Sequence, residues 1–118
     1  MNPQIHIHRI YDALPEALGH CRRILIDRLW PRGISKQQAD LDYWARDIAP
    51  SHDLRKWYQH DHDKWEEFKA RYFAELDANP AGVANLLAHM ADEEVVFLFS
   101  SKEREYNNAT ALRIYLMG

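Results

Sequence analysis

Cysteine is almost missing from this chain of 118 residues: Cys21 stands alone, which excludes an internal disulfide framework and a multi-cysteine zinc site within one chain. Glycine is scarce, with four residues, and no glycine-rich phosphate loop of the P-loop kind occurs. No apolar stretch approaches the roughly 20 residues needed to cross a bilayer. The opening residues, with Pro3, His6 and His8, lack a secretory-leader pattern, so a cytosolic protein without a membrane partner is expected. A basic excess is lacking too. Fifteen Lys and Arg against eighteen Asp and Glu give a net charge of −3, which counts against a domain that grips nucleic acid by bulk electrostatics. Repeats, low-complexity tracts and a linker rich in Ser, Gly or Pro are absent, and residues 1–118 read as one domain.

What is present suits a small buried core, since 47% of the residues are hydrophobic and 12% are aromatic. Ile5 to Ile10 alternates apolar with polar residues and reads as a first strand, with His6 and His8 on one of its faces as core or edge histidines. Arg23 to Arg28 and Val95 to Ser100 are short continuous apolar runs, the pattern of parallel strands covered on both sides. Between them lie some sixty residues of helical signal, enough for a crossover between parallel strands. Ser51 caps a helix through Tyr58, and Asp61 or His62 opens another in which Trp65, Phe68, Tyr72 and Leu76 recur at steps of three and four. Glu67 and Arg71 pair on a different face of that helix. Asn79 before Pro80 starts the next, with Val83, Leu86, Leu87 and Met90 as its stripe. Asn107 or Asn108 caps a last helix that turns Leu112, Tyr115 and Leu116 inward. The expected fold is α/β, a short mainly parallel sheet of about three strands flanked by helices.

In such sheets, ligand crevices lie beyond the carboxyl ends of the strands, where Asp27-Arg28-Leu29-Trp30-Pro31-Arg32-Gly33 follows the run Ile24-Leu25-Ile26. Strand alternation puts Ile24, Ile26, Arg28 and Trp30 on one side and Leu25, Asp27 and Leu29 on the other. Trp30 precedes Pro31 and is biased to an extended conformation, which keeps Arg28 level with the indole for a cation–π contact. Gly33 permits a tight turn from which Arg32 projects. Two guanidiniums and an indole suit a flat or phosphorylated anion, because arginine presents planar, paired donors. The alternative is that Asp27 and Arg28 are buried and paired elsewhere while Trp30 fills core.

Ser100-Ser101-Lys102, before the cap at Asn107, belongs to the same end of the sheet and adds Ser101, Lys102 and Asn107 as ligand-binding candidates. A role as solvated loop and cap is the competing reading. Asp27 and His60 are the candidate proton carriers if there is catalysis, although no nucleophile with a recognisable base partner stands out. The crowd of His60, Asp61, His62 and Asp63 matches no metal-ligand spacing, and no metal or cofactor is expected. Arg22 and Arg23 flank Cys21 and favour a lowered thiol pKa, yet an incidental thiol is the better reading.

Taken together, His8-Arg9-Ile10-Tyr11-Asp12, the Asp27 to Gly33 block, Asp47 to Ser51, Leu54 to Asp61, Trp65-Glu66-Glu67-Phe68, Arg71-Tyr72 and Asn107-Asn108-Ala109 resemble the DUF488 family, in particular its YeaO-like bacterial members. The resemblance implies a small cytosolic α/β protein and carries no established activity. The chain departs from similar proteins at Tyr106, where a histidine is common, and at Ser100-Ser101, where an alanine pair is common. Three functions compete. A crevice for a small anionic ligand, phosphorylated or nucleotide-like, ranks first, ahead of a nucleic-acid module stacking bases on Trp30, Trp57 or Tyr58, and of an adaptor domain whose exposed aromatics meet a protein.

Overall fold

Val95–Phe99 is apolar at all five positions because the strand it forms lies inside the sheet and is buried on both faces. A computed structural model describes residues 4–118. Its elements run β1 (Ile5–Arg9), β2 (Arg22–Leu25), α1 (Lys36–Ala39), β3 (Tyr43–Trp44), α2 (His52–Tyr58), α3 (Trp65–Asp77), α4 (Pro80–Met90), β4 (Val95–Phe99) and α5 (Asn108–Met117). The strands order as β1-β4-β2-β3 and every neighbouring pair is parallel. The sheet thus has four strands where three are read from the sequence. The addition is an edge pair of residues, Tyr43 and Trp44, too short to give a period.

The two faces of the sheet are covered differently. Ile5, Ile24, Val95, Phe97 and Phe99 pack against Leu54 and Tyr58 of α2, Phe68, Tyr72 and Leu76 of α3, Leu86 and Met90 of α4 and Leu112 of α5. Cys21, Leu25, Val96 and Leu98 face the other way and are covered by connecting segments through Leu14, Leu18, Trp30 and Leu41 and by Trp44 of β3. Trp30 therefore packs on the Leu25 side, not the Ile24 side. β2 ends at Leu25, and the chain bends at Arg28 and Leu29, so strand alternation does not extend to the indole.

The helix signals act as caps. Ser51 Oγ accepts the Leu54 amide at 3.1 Å, Asn79 Oδ1 accepts the Gly82 amide at 3.1 Å with Pro80 in the first turn, and Asn107 Oδ1 accepts the Thr110 amide at 2.9 Å. Each satisfies a donor that a helix end leaves free. Trp65, Phe68, Tyr72 and Leu76 are buried as the spacing predicts, and Glu67 pairs with Arg71. Leu87 departs from its stripe and is 50% exposed. Short α1 escapes the hydrophobic period altogether, resting on a capping box between Ser35 and Gln38.

Phe97 is fully buried where β4 meets the helices, so little around it can collapse into a vacated volume. Phe97→Ala is expected to lose about 3–5 kcal/mol of stability, read from urea denaturation.

Candidate functional site

Asp27 follows the last buried residue of β2, and its carboxylate is met from two other segments. Oδ2 accepts the Ser100 amide at 2.8 Å and the Ser100 hydroxyl at 2.7 Å, and Oδ1 accepts the Asn108 amide group at 3.1 Å. Asn108 also donates to the Ile26 carbonyl at 3.0 Å, and the Trp44 indole donates to the Asp27 carbonyl at 2.7 Å. The ends of β2 and β4 and the start of α5 are thereby tied at one point. Asp27 is therefore paired, and it is also partly exposed toward a neighbouring cleft.

Beside this tie opens a cleft of about 570 Å³, lined by Tyr11, residues 27–32, Ala49, Pro50, His52, Arg55, Lys56, residues 58–60, Phe68, Ser100, Ser101 and Asn108. Arg28, Trp30, Arg32 and Ser101 line it together, as do Asp27 and His60. Lys102 is exposed and outside the lining. Asn107 is fully buried, capping α5 and donating to the Glu103 carbonyl at 2.9 Å.

The cations are held to different degrees. Arg28 donates from Nη2 to the Ala49 carbonyl at 2.9 Å and from Nε to the Pro50 carbonyl at 3.4 Å, so it is anchored by neutral acceptors and has no ion-pair partner among the described residues. Arg32 is exposed, set by the turn at Gly33 with φ +81° and by Tyr11, whose hydroxyl donates to the Arg32 carbonyl at 2.8 Å. No hydrogen bond or ion pair holds the side chains of Arg32, Arg55 or Lys56 among the described residues. Arg55 and Lys56 of α2 were not among the residues expected from the sequence to line the site. Trp30 is fixed by its indole donating to the Ile34 carbonyl at 2.6 Å and by an edge contact to Trp44 at 5.3 Å. The expected stacking of Arg28 on Trp30 is not formed. Guanidiniums lie instead over Trp44, from Arg46 at 4.7 Å, and over Trp57, from Arg71 at 4.2 Å.

His60 reaches the cleft because Gln59 and His60 both adopt left-handed backbone, with φ of 46° and 56°, after α2 ends. Such conformations cost about 1–2 kcal/mol per residue outside glycine. His60 Nε2 lies 3.2 Å from Ser101 Oγ, which also accepts the Glu103 amide at 2.9 Å. Partial desolvation lowers the His60 pKa, and the nearby Arg55 cation lowers it further. A neutral imidazole beside a hydroxyl resembles half of a nucleophile–base pair, but no group orients the other ring nitrogen among the described residues.

Behind His60, Glu103 organises the loop. It accepts His62 Nε2 at 2.6 Å and the amides of Glu105 and Tyr106 at 2.9 and 3.1 Å. The His62 contact first, then the two amides, push its pKa down to about 2. Burial pushes the Tyr58 hydroxyl up to about 12, and that hydroxyl donates to the Tyr106 carbonyl at 2.8 Å. At the other end of the sheet Cys21 reverses its expectation. Burial and Glu94 push its thiol pKa up despite Arg22 and Arg23.

The chain matches, over residues 4–118, the family described as "Inactive DUF488-N3 subclade". It belongs to the DUF488 family. It is 35% identical to the uncharacterized protein YeaO of Escherichia coli over 112 residues, 95% of this chain and 96% of YeaO. It is 37% identical over 78 residues to the uncharacterized proteins Rv3073c of Mycobacterium tuberculosis and Mb3100c of Mycobacterium bovis. That match spans 66% of this chain and 64% of each mycobacterial protein. No solved structure matches. Tyr106 packs edge-on against Trp65 at 5.3 Å and against His62 at 4.5 Å. Among the described residues no helix is long and apolar enough to cross a membrane.

Asp27→Ala removes a charged acceptor from three donors and is expected to cost about 1.5–3 kcal/mol in thermal or urea unfolding. Glu103 has a folded pKa below its ordinary 4.5, so its stabilisation is present above that pH and is lost as the pH falls toward about 2. Glu103→Gln is expected to flatten the fall of melting temperature across that acid window, measured by circular dichroism.

Proposed function

We propose that the cleft binds a small anionic ligand, phosphorylated or nucleotide-like, and that the protein works by binding it in the cytoplasm. The observation that carries this reading is the charge of the lining: Arg28, Arg32, Arg55 and Lys56 face a cleft in which, among the described residues, the one carboxylate, Asp27, already serves three donors. The whole chain is acidic at −3, so this concentration of cations is local. Unpaired guanidiniums at the mouth of a hollow raise the local concentration of anions and offer them paired donors. Ser101 and His60 add neutral hydrogen-bonding groups at the inner side, suited to a hydroxyl or base edge next to the anion.

Binding without turnover is the better reading. The Ser101–His60 contact lacks an orienting partner, Asp27 is committed to its three donors, and the family's own description reads "inactive".

The test is thermal stabilisation by inorganic phosphate, sugar phosphates, nucleoside mono-, di- and triphosphates and short oligonucleotides. A ligand at about a hundred times its Kd adds roughly 2.7 kcal/mol, which raises the melting temperature of a domain this size by several degrees. Arg32→Ala and Arg55→Ala are expected to weaken that ligand at least tenfold while leaving the unliganded melting temperature unchanged, since both side chains are exposed. Silence across the phosphate panel, or unchanged affinity in both variants, overturns the proposal. Stabilisation by oligonucleotides alone, erased steeply by salt, replaces it with nucleic-acid binding.

A further inference from the structure

The opposite end of the sheet gathers a set of side chains that plays no part in the cleft. In the parallel register His6 of β1 lies beside Val96 of β4, and Cys21 precedes Arg22, which lies beside Val95. Cys21 is therefore level with Glu94. Side chains alternate along each strand, so His6, Cys21 and Glu94 share the face on which Val96 and Leu98 are buried. One ligand atom from each, a ring nitrogen, the thiol sulfur and a carboxylate oxygen, lies within 4.8 Å of the others.

His20 stands beside this group of three. Its Nε2 lies 2.9 Å from Glu94 Oε1 and 3.9 Å from Cys21 Sγ, while His6 Nε2 lies 2.6 Å from Glu94 Oε2. A tetrahedral zinc ion bonded at about 2.0–2.3 Å needs donor atoms about 3.3–3.6 Å apart; His6, Cys21 and Glu94 are already within 4.8 Å of one another, and His20 adjoins them through Glu94 and Cys21. Their chemistry agrees with that ion. Nitrogen and thiolate sulfur select zinc-like metals over magnesium and calcium, and one thiolate with one carboxylate neutralises a divalent charge. Cys21 is buried, His6 and Glu94 are partly covered, and His20 lies on the exposed side of the group.

We propose that His6, His20, Cys21 and Glu94 form a zinc site that clamps the starts of β1, β2 and β4. Four protein ligands leave no open position, so the role is structural. The site lies about 15 Å from the cleft, the length of a five-residue strand, and is independent of the anion proposal. It departs from the expectation of no metal because its ligands come from three separate segments, with no spacing motif to announce them.

The experiment uses the untagged full-length chain, dialysed against chelator and titrated with Co(II) and then Zn(II). Expected are saturation at one equivalent of Co(II), a thiolate-to-cobalt charge-transfer band with tetrahedral d–d absorption, displacement by Zn(II), and a zinc-dependent rise in melting temperature reversed by chelator. Cys21→Ala is expected to abolish the charge-transfer band. Because Cys21 is buried, His20→Ala, with a side chain 61% exposed, is the second variant, expected to keep the fold and weaken cobalt at least tenfold. Absence of both the band and the zinc-dependent stabilisation, or wild-type cobalt affinity in either variant, overturns the proposal.

Discussion

The carboxylate of Asp27 is the point on which the strand-end architecture turns. A parallel sheet leaves its strand ends joined to long connections that wander independently unless something ties them. Here one side chain accepts from the backbone and hydroxyl of Ser100 after β4 and from Asn108 at the start of α5, and Asn108 reaches back to the Ile26 carbonyl. A partly buried carboxylate is costly in isolation, and three donors compensate it while aligning three segments. The cleft owes its shape to this tie, because residues 27–32 leave from one side of it and Ser101 from the other.

That arrangement also separates charge. Arg28 is held by the carbonyls of Ala49 and Pro50, which orient a guanidinium without cancelling its charge. Ion pairs that do neutralise cations lie elsewhere, as between Arg104 and Asp12 or Arg71 and Glu67. A protein with a net negative charge thus keeps one concave region cationic. Long-range repulsion of anions by the rest of the surface is damped beyond a Debye length of about 8 Å at physiological salt, whereas the lining acts at contact.

The buried parts of the fold were readable in the sequence because burial leaves a period. Five apolar residues at Val95–Phe99 announce a strand covered twice, and Trp65, Phe68, Tyr72 and Leu76 announce one face of a helix. The caps at Ser51, Asn79 and Asn107 were readable because each is a local hydrogen bond with its own residue chemistry. What was not readable depends on chain direction outside regular elements. Trp30 sits on the Leu25 face because the chain turns at Arg28 and Leu29, and alternation holds only while a strand lasts. Arg55 and Lys56 joined the cleft through the placement of α2, which is a matter of packing, not of pattern. Gathering His6, Cys21 and Glu94 required the strand order β1-β4-β2, and a list of letters does not contain that order.

The relation between Ser101 and His60 shows how a cleft can keep the parts of a reactive site without assembling one. A serine becomes a nucleophile when a base takes its proton and a third group holds the base in the right tautomer and direction. At 3.2 Å the first contact is present, and partial desolvation lowers the His60 pKa, which favours the neutral ring that can accept. The acid that would serve as orienter, Glu103, is committed to His62 and to two backbone amides, and those contacts hold its pKa near 2. Asp27 is equally committed to Ser100 and Asn108. Both carboxylates near the histidine are thus spent on loop structure. Two successive left-handed residues at Gln59 and His60 nonetheless hold the ring over the cleft, and that backbone cost is understandable when the ring contacts a ligand, with or without proton transfer.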